Sequence, residues 1–194
     1  MTRIIAGEAG SLRLASPHRV TRPTSDRVRE AIFSRLESLT DLEGASVLDL
    51  FAGTGALGLE AASRGAAAVW LVDNHPGAHT VVSTNTALVA KPLSHAPRLS
   101  ATKASVAVFL ESTPPASMTI VFLDPPYDYS AAALDDHLVT LRSWLAPDAI
   151  VMVERATKGV APTFPEGYDP LAPKAYGDTT VYWARFTNGS QPPA

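Results

Sequence analysis

Two short strings in this 194-residue chain carry residue types that could do chemistry. The first, Asp124-Pro125-Pro126-Tyr127, ends an apolar run. A planar exocyclic amino group is a poor nucleophile because its lone pair is delocalised into the ring. The Asp124 carboxylate can accept one of its N–H bonds and the Pro125 carbonyl the other. Both bonds favour the tetrahedral nitrogen that develops during alkylation. The prolines Pro125 and Pro126 fix an extended backbone and remove competing donors. Tyr127 offers a ring on which a base can stack. A base inside folded nucleic acid must leave its stack to reach such a pocket. The same four residues also fit a strand end followed by a rigid turn.

The second string, Asp49-Leu50-Phe51-Ala52-Gly53-Thr54-Gly55, is a glycine loop entered from an apolar strand. Strand, glycine bend and helix aim backbone N–H groups at a ligand, and glycine lets the backbone approach closely. Gly53-Thr54-Gly55-Ala56-Leu57-Gly58 also fits the dinucleotide pattern G-x-G-x-x-G. Asp73, followed by Asn74, ends the next strand; there a carboxylate can accept both ribose hydroxyls, or instead cap a helix ahead of Pro76. Asp49 separates two cofactor readings. A pyrophosphate is repelled by an acid at the loop mouth, whereas a sulfonium cofactor with an α-amino group is attracted. The residues therefore point to S-adenosylmethionine rather than a nicotinamide, with a structural acid bonded to loop amides as the plainer reading of Asp49.

The elements that must position these strings alternate along the chain. Residues 3–6 and 11–14 read as short strands around a Gly7–Gly10 turn. Ser25-Asp26 starts a helix whose apolar stripe is Val28, Ile32, Leu36 and Leu39, with Arg27, Arg29 and Arg35 mostly off it. Strands are expected at 46–51, 68–73, 98–102, 119–124 and 149–154. Helices are expected at 56–64, 77–89, 104–111 and 131–145. Continuous apolar strands imply a parallel sheet covered on both faces. Residues 155–173 read as a long Pro- and Gly-rich loop, and 174–176 with 179–186 as a closing hairpin turned at Gly177-Asp178. Residues 187–194 read as a disordered tail.

Length suits one domain with a small extension: 1–23 as an N-terminal extension, 24–186 as the main domain. With no cysteine, disulfides and thiolate metal sites are excluded, and a reducing, cytoplasmic setting is expected. No apolar run is long enough to span a membrane, and the first nine residues lack a signal-peptide core. The five histidines, 18, 75, 79, 95 and 137, show no metal-ligand spacing and read as exposed helix residues. Net charge is −3, but it is unevenly spread. Residues 1–37 hold seven arginines against four acids, a net of +3, and the remainder nine Lys and Arg against fifteen acids, a net of −6. A basic front on an acidic body fits a phosphate footprint as well as it fits an ordinary solvated helix face.

Arg3-Ile4-Ile5-Ala6-Gly7, Arg22-Pro23-Thr24-Ser25-Asp26-Arg27-Val28-Arg29-Glu30 and Leu48 to Glu60 resemble the bacterial RsmD-type 16S rRNA guanine-N2 methyltransferases. Ser63-Arg64-Gly65-Ala66, Asp124 to Tyr127, Val153-Glu154 and Tyr176-Gly177 extend the likeness over residues 3–186. The Arg-Pro-Thr…Arg-Glu stretch is its most specific part. The resemblance implies a class I S-adenosylmethionine-dependent methyltransferase fold, Rossmann-like α/β, with a seven-stranded mainly parallel sheet and an antiparallel last strand. It implies methylation of a guanine N2 in 16S rRNA, presented on the small subunit or an assembly intermediate, by a monomer. It implies cofactor contacts from Asp49, Phe51, Ala52, Gly53, Thr54, Gly55, Asp73 and Asn74, and catalysis by Asp124, Pro125, Pro126 and Tyr127. It implies RNA contacts from Arg3, Arg13, Arg22, Thr24, Arg27 and Arg29, and no metal. The first hairpin departs from the family by carrying Gly10-Ser11-Leu12 and only Arg13 where relatives are more basic. Lys103-Ala104-Ser105 after the third strand leaves the adenine contacts open.

Three other readings compete. Adenine-N6 methylation of DNA uses the same Asp-Pro-Pro-Tyr chemistry, but no separate DNA-recognition domain is visible. A nicotinamide oxidoreductase leaves Asp49, the double proline and the arginine stretch unexplained. A non-catalytic RNA-binding module leaves Asp124 unexplained.

Overall fold

The computed structural model describes residues 2–16, 25–112, 114 and 116–187. Arg22, Thr24 and His18 lie outside the described residues, as does 188–194 of the expected tail. Among the described residues five α-helices and seven strands follow one another: α1 (Asp26–Leu39), β1 (Ser46–Leu50), α2 (Ala56–Ser63), β2 (Ala68–Asp73), α3 (Pro76–Val89), β3 (Arg98–Lys103), α4 (Val106–Leu110), β4 (Met118–Leu123), α5 (Ala131–Leu141), β5 (Leu145–Ala156), β6 (Tyr168–Tyr176) and β7 (Thr179–Phe186). The strands form one sheet in the order β3-β2-β1-β4-β5-β7-β6. β1 to β5 run parallel, and β7 pairs antiparallel with both β5 and β6.

Alternation along each strand sends side chains to two faces, and helices cover both. One face joins Val47, Val69, Leu71, Ile120, Phe122, Ile150, Met152 and Trp183 to the helices α1, α2 and α3. The other joins Leu48, Leu50, Val121, Leu123, Val151 and Val153 to α4 and α5. The central strands are fully buried, and each such aliphatic side chain contributes about 1.5–3 kcal/mol. Phe33 of α1 meets Phe122 of β4 with ring centroids 5.9 Å apart.

Several expectations need correction. β6 starts at Tyr168, within the expected long loop, and contains Pro170 and Pro173. An edge strand tolerates proline because one row of its N–H groups faces away from the ladder. The segments 3–6 and 11–14 do pair, through Ile4 N to Leu12 O, Ser11 N to Ile4 O and Leu14 N to Thr2 O, each 2.9 Å. They form a single antiparallel bridge, Arg3 to Arg13, rather than two strands.

That paired segment is anchored on α2. Ile4, Ala9 and Leu14 enter the first core. The fully buried Glu60 carboxylate accepts from Ile5 N and Ala6 N, and from Arg64 Nε at 2.8 Å. Ser63 Oγ accepts from Ala9 N and donates to Ala6 O. Gly7 has φ +78°, and a Cβ there would lie 1.8 Å from Ser63 O.

Candidate active site

β1 and β4 are neighbours at the point where strand order reverses, the usual place for a ligand crevice in an open α/β sheet. Their pairing ends at Leu50 opposite Leu123. The two strings with chemistry therefore leave the sheet side by side: the bend from Phe51 and the segment from Asp124.

The bend is strained. Phe51 is a non-glycine residue with φ +71°, and Gly53 and Gly55 have φ +57° and +80°. A side chain in that region costs of order 1–3 kcal/mol, held here by surrounding bonds. Ala52 N donates to Val72 O, and Gly53 N donates to Asp73 Oδ2 at 2.9 Å. Asp73 Oδ1 accepts from His75 N. Each Asp73 oxygen thus uses one acceptor position on a backbone amide and has the capacity for another. Gly58 is the close-packing glycine, where a Cβ would meet Leu71 Cδ2 at 2.5 Å and Val69 Cγ1 at 2.9 Å.

Asp49 is buried beneath the bend and its Oδ2 accepts from Gly58 N at 2.9 Å. One oxygen thus bonds an amide in the first turn of α2, whereas the plainer reading of this acid had it bonded to loop amides. Burial pushes its pKa up to about 7; the Gly58 amide opposes that rise, and Asp73 adds to it.

A cleft opens between the ends of β2 and β3 and the loop after β4. Phe51, Val72, Asp73, Asn74, Ala104, Ser105, Val106 and Tyr129 line it. The Phe51 and Tyr129 rings meet edge to face at 4.9 Å. Tyr129 OH bonds His137 Nε2 at 2.7 Å, and the Tyr129 carbonyl accepts from Arg155 Nη2. Apolar walls with a carboxylate at one end suit a purine and its ribose. A groove of about 300 Å³ lies between α4 and α5, by Leu110, Glu111, Asp136 and His137, but neither the glycine bend nor the Asp124–Tyr127 segment lines it. The converging polar groups, rather than cavity size, locate the site.

In the Asp124–Tyr127 segment Asp124 is half-buried, Pro125 buried and Pro126 exposed. Tyr127 is 56% exposed, and its hydroxyl lies 3.1 Å from Thr179 Oγ1 of β7. The ring is thus tethered at its tip while more than half of the residue is open to solvent.

Of the basic residues, Arg3, Arg13 and Arg27 are exposed. Arg29 is not: it is 1% exposed, and Nη2 donates to Arg3 O and Asp26 Oδ1. Its expected surface role is corrected to an internal one, tying the paired segment to α1. His137 is likewise buried rather than exposed, and burial lowers its pKa. His75 accepts from Gly77 N at the start of α3, and His95 pairs with Glu8 at 2.8 Å. Among the described residues no cluster of three potential metal ligands occurs.

Reading by residue type left Ala104 and Ser105 open and missed Val72, Val106 and Tyr129 as lining residues. Tyr129 carried a signal, an aromatic two residues past Tyr127. Val72 and Val106 are unremarkable in sequence and line the cleft together because β3 lies beside β2.

Comparison with known proteins bears on this geometry. The sequence model of the family described as conserved hypothetical protein 95 matches residues 2–185. The chain is 33% identical over 176 residues to the ribosomal RNA small subunit methyltransferase D of Escherichia coli strain K12, covering 90% of this chain and 85% of that protein. It is 37% identical over 107 residues to the putative rRNA methyltransferase YlbH of Bacillus subtilis strain 168, covering 55% of this chain and 56% of that one. Among solved structures, the putative methyltransferase yhhF of Escherichia coli superposes with a TM-score of 0.81 at 30% identity, covering 95% of this chain and 97% of that one. An RNA methyltransferase from Salinibacter ruber in complex with S-adenosyl-L-homocysteine shares the fold, with a TM-score of 0.61 at 17% identity, covering 89% and 97%. With its switch-point bend and adjoining Asp-Pro-Pro-Tyr segment, the chain belongs to the conserved hypothetical protein 95 family, that of the ribosomal RNA small subunit methyltransferase D enzymes, and has the class I methyltransferase fold.

Proposed function

We propose that this chain transfers the methyl group of S-adenosylmethionine to the exocyclic N2 of one guanine in 16S rRNA, on the small ribosomal subunit or an assembly intermediate. It does so as a cytoplasmic monomer. One observation carries the reading: the Leu50–Leu123 pairing, which sets the glycine bend against the Asp124 segment.

When bound, S-adenosylmethionine supplies a methyl group on a sulfonium. The chain's residues do the rest. Phe51, Val72, Val106 and Tyr129 receive the adenine, and Asp73 with Asn74 receives the ribose. Asp49 offers its carboxylate towards the cofactor's positive charge, and Gly53 and Gly55 bring the backbone close. Asp124 accepts one N–H of the guanine amino group and the Pro125 carbonyl the other, so the lone pair points at the methyl carbon. Tyr127 stacks the extruded base. The product nitrogen is cationic and sheds its proton to solvent, so no strong base is needed.

Arg3, Arg13 and Arg27 meet rRNA phosphates, together with Arg22 and Thr24 of the undescribed stretch. Nothing in the chain favours DNA adenine over this target.

The test is incubation of unmodified small ribosomal subunits with methyl-labelled S-adenosylmethionine, followed by nuclease digestion. The label is expected in N2-methylguanosine. No label in rRNA beside a working positive control sinks the proposal. Asp124→Ala is expected to cut transfer at least about 100-fold, the scale of removing one transition-state partner, while S-adenosylhomocysteine still binds.

A further inference from the structure

Asn85 of α3 is fully buried, and its side-chain amide makes three hydrogen bonds. Oδ1 accepts from Ala15 N at 2.8 Å. Nδ2 donates to Ala15 O at 3.0 Å and to Thr54 O at 2.8 Å. The first two copy the paired bonds of a β-bridge, with a side chain in place of a strand. The third ends between Gly53 and Gly55, inside the glycine bend.

From these bonds we infer that Asn85 is a positioning residue coupling the N-terminal segment to the glycine bend, so that rRNA and cofactor each bind more tightly when the other is in place. The inference rests on the reading above, in which the bend holds the cofactor and the front of the chain meets rRNA.

Three side chains tether the bend and its helix. Asp49 takes the Gly58 amide and Asp73 the Gly53 amide, both from sheet strands. Asn85 takes the Thr54 carbonyl and shares that tether with the N-terminal segment. Ala15 lies two residues after Arg13, and the chain then runs through Arg22 and Thr24 to α1. Displacing Ala15 breaks both of its bonds to the buried carboxamide at once, a costly state that favours movement of the amide. The carbonyl at Thr54 moves with it. Asparagine alone suits the position. Aspartate would set carboxylate oxygens against the Ala15 and Thr54 carbonyls, leucine keeps the volume without the bonds, and glutamine adds a methylene at a fully buried position.

Coupling of this kind is reciprocal. The experiment measures equilibrium binding of S-adenosylhomocysteine to the full chain, alone and saturated with unmodified small ribosomal subunits, and binding of those subunits with and without S-adenosylhomocysteine. The wild-type chain is expected to show the same enhancement in both directions, at least about fivefold. Asn85→Leu is expected to bind S-adenosylhomocysteine more weakly and to lose the enhancement. Ala15→Pro removes the Ala15 N–H while keeping the Asn85–Thr54 bond. It is expected to bind S-adenosylhomocysteine nearly as wild type alone, yet with reduced enhancement, and it decides the matter if Asn85→Leu does not fold. No enhancement in the wild type, or equal enhancement in wild type and variants, overturns the coupling; a lowered thermal midpoint with unchanged enhancement marks a merely structural residue and overturns it too. A wild-type chain that methylates no rRNA overturns the functional reading instead.

Discussion

Asp49 is a buried carboxylic acid under the glycine bend, where the proposed function places a cationic cofactor. Its pKa of about 7 stands far above the ordinary 3.8. Between those values the folded chain holds a proton that the unfolded chain has lost. The stability this gives is present at low pH and declines as pH rises towards 7. Cofactor binding favours the ionised form, so affinity for S-adenosylmethionine should increase as pH rises through 7. Titrations from pH 6 to 8 check this. Asp49→Asn keeps an acceptor for Gly58 N and should flatten both trends: its thermal midpoint falls less from pH 5 to 8, and its weaker cofactor affinity no longer depends on pH there. At Tyr127, stacking and tethering separate. Tyr127→Phe keeps the ring and loses only the Thr179 bond, so rRNA methylation should fall less than about tenfold; Tyr127→Ala should lower it about 10- to 100-fold, the size of one base–aromatic stack. Single-turnover rates distinguish the two. The placing of these acids near strand ends is legible: Pro125 follows Asp124 just past β4, Pro76 comes soon after Asp73 at the end of β2, and Asp49 stands one residue before the end of β1 ahead of the glycine bend. Arg29 and His137 were misjudged for one reason. Arg29 lies on the stripe with Ile32, Phe33 and Leu36, and His137 on that with Leu134, Leu138 and Leu141, both at helical spacing. A polar residue on such a stripe is buried with a partner, and the partners, the Arg3 carbonyl and the Tyr129 hydroxyl, come from elsewhere in the chain.

Elements stand or fall on the few positions where backbone meets backbone. Gly55 has φ +80°, and a Cβ there would lie 2.8 Å from Val82 Cγ2 and 3.0 Å from Leu59 Cδ1. Gly55→Ala should lower stability by about 1–3 kcal/mol through strain and overpacking, and weaken S-adenosylhomocysteine binding. Denaturant melts and binding titrations check both effects. At the N-terminal segment, Glu60→Ala leaves the Ile5 and Ala6 amides without their acceptor, at about 1–3 kcal/mol for each one that stays buried. Hydrogen exchange should then quicken at Ile5 and Ala6 and stay slow in β1 and β4. β2 ran where its apolar residues said, Ala68–Asp73, because both its faces are covered and its bounds are sharp. β6 did not, because its prolines mimic a loop and its pairing with β7 is a long-range fact. The Phe51–Tyr129–Val106 cleft was hidden for the same cause: sequence spacing does not say which strand ends lie together.

At the scale of the molecule, charge divides front from body. Binding to small ribosomal subunits should weaken with salt, with a slope of roughly −0.7 in log K against log salt per phosphate contacted. Arg27→Ala should flatten that slope by about one contact and leave the thermal midpoint unchanged, since Arg27 is exposed on α1. Arg29→Ala should lower the midpoint, since its guanidinium is internal. The three-layer architecture, with helices on both faces of a mainly parallel sheet, followed from continuous apolar strands alternating with helices. Strand order and the neighbouring of β1 and β4 did not follow from pattern alone, and on that adjacency the chemistry depends.

The central claim is that the Asp124 carboxylate and Pro125 carbonyl present a guanine amino group to a methyl donor held over the bend. It is tested most directly by mass spectrometry of digested 16S rRNA from cells carrying the intact chain and from cells carrying Asp124→Ala at equal abundance. The account predicts that one N2-methylguanosine present in the first is missing from the second, with every other modified nucleoside unchanged. An identical N2-methylguanosine content in both would contradict it.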